Sequence, residues 1–477
     1  MSLTIVPYRE YFDEFRVTFV NEQVDVFPLF EPEVSGKQHE QLKIYKDLER
    51  KFVLFNASSL RSQVHFQNAY SIPVQRWFPY REGYSLRLVN AFIKEFNVKG
   101  NIFDPFCGSG TTLLAARLSD LQGIGMDVNP ISVLVARVEN THYTMDDIKK
   151  IKKAIQRLKL LKNKEVEINI NFELVAKVFN SDILNSLILF KNYILNINFE
   201  KARNFLFVAW LSIIESVSNI KKEGNGIKYK NRKRTRNGYI NIKKDIWEKK
   251  VYPIDKFNFV KSTLLKQLEL MLSDLQNNYG SSNYIPRIFE GNSLKFDDFF
   301  TDEINFTFFS PPYCNCFDYF EIHKIDLWLG GFVSNKEEFR ILRNNGLRSN
   351  TNSLNHKTVL YKNKSLEKLI GMFDVAKLWS KKIPSVIRGY FDDMNILLSK
   401  TYIQTKKGGI VGIVVGNSAY SGVIVPSDLL ISDIAREIGF KVKGIYITRH
   451  LTTSSQQKQN LEFLKRYLRE SIILLEK

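Results

Sequence analysis

A glycine-rich turn followed by an acidic residue is the first feature of the sequence whose residue types could do chemistry. The turn is DPFCGSGTT at residues 104–112, and Asp127 lies 17 residues after Gly110. Glycines let a ligand approach the backbone closely, Thr111 could cap the following helix, and a helix N-terminus favours an anionic group such as a carboxylate. A carboxylate at the position of Asp127 can accept hydrogen bonds from a ribose diol. The spacing therefore predicts a site for a ligand that carries a ribose and a carboxylate.

Phosphate-binding turns fit this segment less well. The pattern GxxxxGK[ST] is absent, and Leu113 stands where a GxGxxG turn needs its third glycine. The three cysteines form no CxxC pair or Cys/His cluster. Neither a zinc site nor a disulfide scaffold is expected for that reason.

The turn Ser310-Pro311-Pro312-Tyr313 is the second such feature. Its prolines stiffen the backbone, so that a side chain and a carbonyl can be directed outward. The Ser310 hydroxyl and the Pro311 carbonyl could accept the two N–H bonds of an exocyclic amine, while the Tyr313 ring stacks on the planar ring that carries it. Taken alone, these four residues are more typical of an ordinary turn after a strand than of a binding site.

The apolar runs around both turns predict one α/β sheet. Helices are expected at 111–120 and 129–140, directly after the first two strands. Ligands of such a sheet bind outside the carboxyl ends of its strands, so both turns should face one site. The predicted strands are 101–106, 122–127, 288–293, 304–309, 409–418, 441–449 and 470–477.

Four motifs, DPFCGSGTT, GMDVNP, EGNS and SPPY, occur in this order at the ends of predicted strands, after RWFPYREGYS at 76–85. Together they resemble the motifs of the S-adenosylmethionine-dependent amino-methyltransferases of DNA, and the SPPY form is most similar to the cytosine-N4 branch. The resemblance covers roughly residues 65–145 and 285–477. It implies a Rossmann-like methyltransferase sheet, mostly parallel with an antiparallel last strand, and S-adenosyl-L-methionine as the cofactor.

The resemblance also implies a role for each matching residue. Asp127 would hold the ribose hydroxyls, and Ser85 would cap the helix that follows it. The target base would leave the duplex, and its nitrogen would attack the sulfonium methyl group without a covalent enzyme intermediate. Cys107 and Cys314 are interpreted as incidental for that reason. The implied catalytic residues are Ser310, Pro311, Pro312 and Tyr313, and the implied cofactor residues are Tyr84, Ser85, Asp104, Phe106, Gly108, Gly110, Thr111, Asp127, Val128, Asn292 and Ser293.

Three regions are expected on this basis. Residues 1–145 would hold the N-terminal segment, the cofactor motif and the first half of the methyltransferase domain. Residues 146–283 would form a largely helical basic insertion, with helices at 145–162, 181–219 and 255–278. Residues 284–477 would hold the second half with the SPPY site and a possible recognition insert at 331–382.

The insertion is the main candidate for contact with DNA. Its stretch 221–250 carries twelve Lys or Arg and three Asp or Glu, with aromatic residues between the charges. This composition favours a flexible surface that contacts phosphates, and a solvated loop explains it equally well. The candidate DNA contacts are Lys228, Arg232, Lys233, Arg234, Arg236, Arg449 and Lys458.

The composition of the chain indicates its general class and the kind of partner it binds. The chain has 477 residues, 44% of them hydrophobic, and a net charge of +19, which favours a globular protein with a polyanionic partner. Its longest mainly apolar run, 205–214, is too short to cross a bilayer, so we expect a cytoplasmic protein without a membrane partner. Double-stranded DNA is the expected substrate, and a restriction endonuclease on a separate chain is a further expected partner. Adenine-N6 methylation, methylation of an RNA exocyclic amine and a non-catalytic nucleic-acid-binding role are the alternatives.

Overall fold

A single large sheet organises the chain. The computed structural model describes residues 36–64, 72–168, 170, 172–224, 226–235, 238–276, 284–354, 358–451 and 464–477. Within these ranges the strands are β1 (Leu54–Asn56), β2 (Ile102–Asp104), β3 (Gly123–Asp127), β4 (Ile220–Glu223), β5 (Gly226–Tyr229), β6 (Arg232–Thr235), β7 (Gly238–Asn241), β8 (Arg287–Glu290), β9 (Ile304–Phe309), β10 (Thr405–Gly416), β11 (Ser418–Tyr420), β12 (Val423–Val425), β13 (Lys441–His450) and β14 (Arg469–Glu476).

Eight of these strands form the sheet, in the order β1-β13-β14-β10-β9-β2-β3-β8. Neighbouring strands run parallel, except that β14 is antiparallel to both β10 and β13. The remaining strands form three hairpins, β4 with β5, β6 with β7, and β11 with β12. The predicted fold class, a mostly parallel sheet with an antiparallel last strand, is confirmed.

Helices cover both faces of the sheet. Their bounds are α1 (Lys37–Glu49), α2 (Leu86–Glu95), α3 (Thr111–Leu118), α4 (Pro130–Asn140), α5 (Met145–Lys159), α6 (Glu173–Val178), α7 (Ser181–Leu195), α8 (Glu200–Ile213), α9 (Lys244–Val251), α10 (Lys256–Gln276), α11 (Tyr319–Gly330), α12 (Lys336–Asn344), α13 (Lys364–Gly371), α14 (Ile383–Gln404) and α15 (Ser427–Ile438).

The strand β14 shows how the core is divided. Ile472 and Leu474 belong to one hydrophobic cluster, whereas Ile473 and Leu475 belong to the other. Successive side chains of a strand point to opposite faces of its sheet, so the two clusters lie on the two faces. A strand buried on both faces reads as a continuous apolar run, which is why this one could be predicted from the sequence.

The insertion differs from its prediction in two segments. Residues 220–241 form two β-hairpins, and the helix predicted over 181–219 is two helices, α7 and α8. Several helices of the insertion share a hydrophobic cluster with α3 and α4, through side chains such as Phe205 and Trp210. The insertion is therefore continuous with the core on one face of the sheet, and the domain division at 145 and 283 stays a prediction.

Asp274 joins the end of the insertion to the segment before α2. Its side chain is fully buried in α10 and accepts hydrogen bonds from the Val74 amide (3.0 Å), the Trp77 indole (2.9 Å) and Arg76 Nε (3.1 Å). A buried carboxylate with several donors is strongly held. The insertion thereby positions the N-terminal motif that precedes α2.

The insert at 331–382 contains two helices, α12 and α13. Between them, the loop 346–353 is held by Arg348, whose buried guanidinium pairs with Asp392 and Asp393 of α14 (both 2.6 Å). Among the helices of the described ranges, none combines the length and apolar character that a membrane crossing requires.

Candidate active site

The glycine-rich turn joins the carboxyl end of β2 to α3, as predicted. Gly108 and Gly110 have φ values of 51° and 91°, a region that disfavours residues with a side chain. Gly110, not Thr111, is the residue that precedes the helix, and it makes no side-chain cap. The expected cap by Thr111 is therefore wrong: its hydroxyl instead accepts a hydrogen bond from Gln75 Nε2 at 2.8 Å.

Asp127 closes the other side of this turn. Its carboxylate accepts hydrogen bonds from the backbone amides of Gly108 (2.9 Å) and Asn129 (2.8 Å). Burial raises the pKa of the carboxyl to about 6. A carboxylate has about four lone-pair positions, so Asp127 can accept hydrogen bonds from a diol in addition to these bonds.

A cavity of about 290 Å³ connects the glycine-rich turn with the SPPY turn. Its wall also includes the loop 346–353 and residues 80–84 of the N-terminal motif. Such a volume lies near the lower end of the range usual for small-ligand sites. The predicted cofactor and catalytic residues that line it are Tyr84, Phe106, Gly108, Thr111, Asp127, Val128, Ser293, Ser310, Pro311, Pro312 and Tyr313.

The other predicted cofactor residues lie behind this wall. Ser85 caps α2 by accepting from the Arg87 amide (3.3 Å), as expected, and Asn292 accepts from the Leu294 amide (2.9 Å). Gly110 faces α4, where a Cβ atom would lie 2.7 Å from Asn140. These three residues shape the loops of the site and do not line the cavity.

Asp104 supports the wall directly. Its carboxyl accepts hydrogen bonds from the Phe106 amide and from Tyr84 Oη, both at 3.0 Å. Burial raises its pKa to about 7. Two cavity residues thus depend on one buried carboxyl that itself does not line the cavity.

The SPPY turn follows β9, beside β10 and β14. Ser310 Oγ donates a hydrogen bond to the Val414 carbonyl at 3.0 Å, so the hydroxyl hydrogen is used within the protein. Tyr313 Oη donates to Glu470 Oε1 at 2.9 Å. The Tyr313 ring lies over Gly416, where a Cβ atom would come within 2.8 Å of it.

Glu470 and Arg449 complete this wall of the cavity. Glu470 was missed in the sequence, whereas Arg449 was predicted to contact DNA. The Glu470 side chain is only 3% exposed, and it accepts from Arg449 Nε at 2.6 Å and Nη2 at 3.1 Å. No local motif marks either residue, because their positions follow from the pairing of β13 with β14.

The remaining predicted DNA contacts lie away from the cavity lining or outside the described residues. Lys228 pairs with Glu223 (3.3 Å), and the Arg232 guanidinium lies over the Tyr239 ring at 4.2 Å. Lys233 is exposed on β6. Arg234 belongs to the same strand, but its side chain, like Arg236 and Lys458, lies outside the described residues.

The hairpin β4–β5 reaches the rim of the cavity. Arg81, a lining residue, pairs with Glu215 at 2.9 Å and donates to the Lys222 carbonyl. The Lys222 ammonium in turn pairs with the buried Asp326 of α11. The insertion therefore reaches the active-site edge of the sheet.

Two further lining residues, Tyr80 and His323, were not among the predicted site residues. Their rings are stacked at 6.0 Å between centroids, and His323 Nδ1 lies 3.4 Å from the Asp326 carboxylate. His323 is only 3% exposed.

Cys107 and Cys314 are both buried free thiols. Burial raises the pKa values of Cys107 and Cys314 well above their usual range, which disfavours a nucleophilic thiolate. Within the described ranges, no cluster of three or more His, Cys, Asp or Glu side chains could hold a metal ion.

Comparison with known proteins identifies the family that this site resembles. Residues 79–136 match the family model described as DNA methylase. The predicted resemblance to the DNA methyltransferases is confirmed. Type II methyltransferase M.BsoBI of Geobacillus stearothermophilus is 27% identical over 92% of both chains. Type II methyltransferase M.AvaI of a Nostoc strain is 25% identical over 88% of this chain and 87% of its own.

A shorter match has higher identity. Type II methyltransferase M.MjaII of Methanocaldococcus jannaschii is 40% identical over 74 residues, which are 15% of this chain and 14% of its own. The chain is accordingly a methyltransferase, and S-adenosylmethionine is its methyl donor. The donor set fits that molecule, because Asp127 has acceptors left for a ribose and the two turns share one cavity.

Proposed function

We propose that the chain methylates the N4 amino group of cytosine at a specific sequence of double-stranded DNA. The observation that carries the proposal is the hydrogen bond from Ser310 Oγ to the Val414 carbonyl. Since this bond uses the hydroxyl hydrogen, the remaining lone pairs of Oγ can only accept. An exocyclic amine donates hydrogen bonds, whereas a carbonyl oxygen or a ring nitrogen without a hydrogen does not, so such an acceptor favours an exocyclic amino group.

The chain's residues would act by positioning and by electrostatics. Asp127 would accept from the ribose hydroxyls of the cofactor, while the Gly108 backbone permits its close approach. When bound, S-adenosylmethionine supplies an electrophilic methyl group on a sulfonium. Ser310 Oγ and the Pro311 carbonyl would accept the two N–H bonds of the amine and keep its lone pair from delocalising into the ring. The Tyr313 ring would stack on the flipped base.

The choice of cytosine over adenine as the target base rests on the motif. The SPPY form of the motif supports cytosine, whereas the family model takes its name from both N6 and N4 methylation. An amine acceptor serves adenine equally well, so adenine-N6 methylation is the second candidate. A separate restriction endonuclease as partner is also proposed, because the matched relatives are Type II methyltransferases by name.

Expression in a host without DNA methylation tests the proposal, with digestion of its genomic DNA and mass spectrometry of the nucleosides. N4-methylcytosine is the expected product. N6-methyladenine in its place would refute the choice of base. No modified DNA base, from a folded protein that binds S-adenosylmethionine, would refute DNA methylation and direct the search to structured RNA.

The variant Ser310→Ala tests the role of the hydroxyl. Removing one preorganised polar partner of a reacting group costs on the order of a hundredfold in kcat, so we expect a loss of that size. Calorimetry should show unchanged affinity for S-adenosylmethionine, because the cofactor turn is untouched. Ser385→Ala, an exposed serine of α14, is the matched control. Full turnover of Ser310→Ala would exclude this role.

A further inference from the structure

Trp379 differs from the other tryptophans of the chain. The sequence has five, all within the described ranges, and four of them are at most 7% exposed. Trp379 is 67% exposed, and Val375 nearby is 45% exposed. A tryptophan carries a large apolar area, and exposed apolar groups of this size often mark a site of interaction.

The segment that carries Trp379, residues 374–382, is anchored at its start beside the SPPY turn. Phe373 packs edge-on against Tyr420, with 6.2 Å between ring centroids. Tyr420 Oη donates a hydrogen bond to the Cys314 carbonyl at 2.8 Å. Cys314 directly follows Tyr313, so the segment begins next to the proposed base site.

The end of the segment is placed by α14. This helix leads directly into β10, which runs parallel to β9, so its N-terminus lies at the edge where the strands' carboxyl ends meet. Asp392 and Asp393 of the same helix hold Arg348 and thereby the loop that lines the cavity. Residues 374–382 therefore lie at the active-site edge of the sheet; they are called the Trp379 ridge below.

The ridge and the residues before it carry a net positive charge. Lys377, Lys381 and Lys382 are exposed within it, and its one acidic residue, Asp374, pairs with Lys377 at 3.1 Å. Over residues 358–382 lysines clearly outnumber acidic residues, of which there are two, Glu367 and Asp374. Exposed lysines next to an exposed aromatic ring are the combination that binds nucleic acid, through phosphates and through base stacking.

We propose that the Trp379 ridge binds the DNA substrate, with the indole stacked on a base near the target and Lys381 and Lys382 at phosphates. Flipping a base removes the stacking partner of its neighbours and exposes their faces. An indole beside the flipped-base site can cover such a face. This inference rests on the proposed methylation of duplex DNA, and it goes beyond that function by naming the surface that receives the duplex.

Tryptophan fluorescence gives a direct test with the full-length protein. Since the other four indoles are buried, acrylamide should quench chiefly Trp379. A duplex that the wild-type protein methylates should lower the acrylamide-accessible fraction, and Trp379→Phe should abolish this change. An accessible fraction that stays the same at saturating duplex would overturn the proposal.

Binding measurements separate stacking from charge. Trp379→Ala should weaken duplex binding about tenfold, whereas Trp379→Phe should retain most of the affinity because a phenyl ring also stacks. Ile403→Ala is the matched control, since Ile403 is 74% exposed at the other end of α14. All variants should keep the melting temperature and the cofactor affinity of the wild type.

The lysines are tested by salt dependence. Lys381→Gln with Lys382→Gln should lower the slope of log K against log salt by roughly 0.9 for each phosphate that is no longer neutralised. Lys406→Gln with Lys407→Gln, exposed at the opposite edge of the sheet, should leave the slope unchanged. Equal slopes for both pairs would overturn the proposal.

Three outcomes separate the proposal for the ridge from the proposed function itself. DNA methylation by the wild type with unchanged binding of Trp379→Ala would refute the ridge alone. A change of molecular mass on Trp379→Ala, with duplex affinity unchanged, would assign the ridge to a second copy of the chain and likewise refute it. A wild-type protein that methylates no DNA would refute the proposed function, and the proposal for the ridge, which rests on it, would fall with it.

Discussion

Replacing Glu470 by glutamine should slow methyl transfer without weakening cofactor binding. The Glu470 carboxylate is the acceptor for Tyr313 Oη and for two nitrogens of Arg449. Glutamine keeps the shape of the side chain but has one acceptor oxygen in place of two. An amide in place of the carboxylate leaves either Tyr313 Oη or Arg449 Nε facing an NH2 group. When Tyr313 Oη loses its acceptor, the ring is no longer fixed where a flipped base would stack.

The size of the effect follows from the burial of this group. Hydrogen bonds to charged groups contribute about 1.5–3 kcal/mol, and the 3% exposure of Glu470 leaves little water to replace a missing partner. If the whole contribution is expressed in the transition state, kcat/KM falls roughly 10- to 150-fold. Tyr313→Phe removes the same bond from the other side and keeps the ring, so a smaller decrease of about fivefold is expected.

A double-mutant cycle on kcat/KM with labelled S-adenosylmethionine measures the coupling. The effect of the double variant Tyr313→Phe/Glu470→Gln should be smaller than the sum of the single effects, by about 1 kcal/mol. Glu476→Gln, a half-exposed glutamate of the same strand that pairs with Lys443, is the matched control and should be near wild type. Additive effects within error, or full activity of Glu470→Gln, would refute the positioning of Tyr313 by Glu470.

Three further predictions concern the cofactor, the fold and the insertion. Affinity for S-adenosylmethionine should fall as the pH drops through about 6, because burial raises the Asp127 pKa to about 6 and protonation removes an acceptor; calorimetry on Asp127→Asn should show weak, pH-independent binding. Asp274→Asn should lower the free energy of unfolding by roughly 3 kcal/mol in urea titrations, since it leaves donors without a charged acceptor. Arg232→Gln with Lys233→Gln should reduce the salt slope of duplex binding by roughly 0.9 for each phosphate that these side chains neutralise, and should leave base preference unchanged.

Seven of the eight strands of the sheet could be predicted because they are marked locally, whereas the short strand β1 was not predicted. Buried strands are continuous apolar runs, and turns at their carboxyl ends carry glycine or proline. The hairpins of 220–241 could not be predicted in the same way. Lys222 is buried there, and its ammonium is satisfied by Asp326, 104 residues later in the chain. A lysine is normally expected to be exposed. A buried lysine therefore conceals the alternation of buried and exposed residues along its strand.

The cofactor side of the candidate site was also visible in the sequence. Gly108 and Asp127, which the structure joins by a hydrogen bond, each belong to a motif with a fixed spacing. Thr111 shows the limit of such local reasoning. Its hydroxyl contacts Gln75 instead of capping α3, because the N-terminal motif folds over the turn from a distant part of the chain.

The base side of the site depends on register, which no local pattern encodes. Glu470 pairs with Gly416 in the antiparallel ladder of β10 and β14. A Cβ atom at Gly416 would lie within 2.8 Å of the Tyr313 ring. Because glycine has no Cβ atom, the ring can pack directly against the sheet. Once seated there, Tyr313 Oη reaches the carboxylate of the residue opposite that glycine. Shifting the pairing by one residue would turn Glu470 to the other face of the sheet and leave the hydroxyl without this acceptor. The orientation of the proposed stacking residue therefore follows from one glycine and one strand register, 54 residues apart in the sequence.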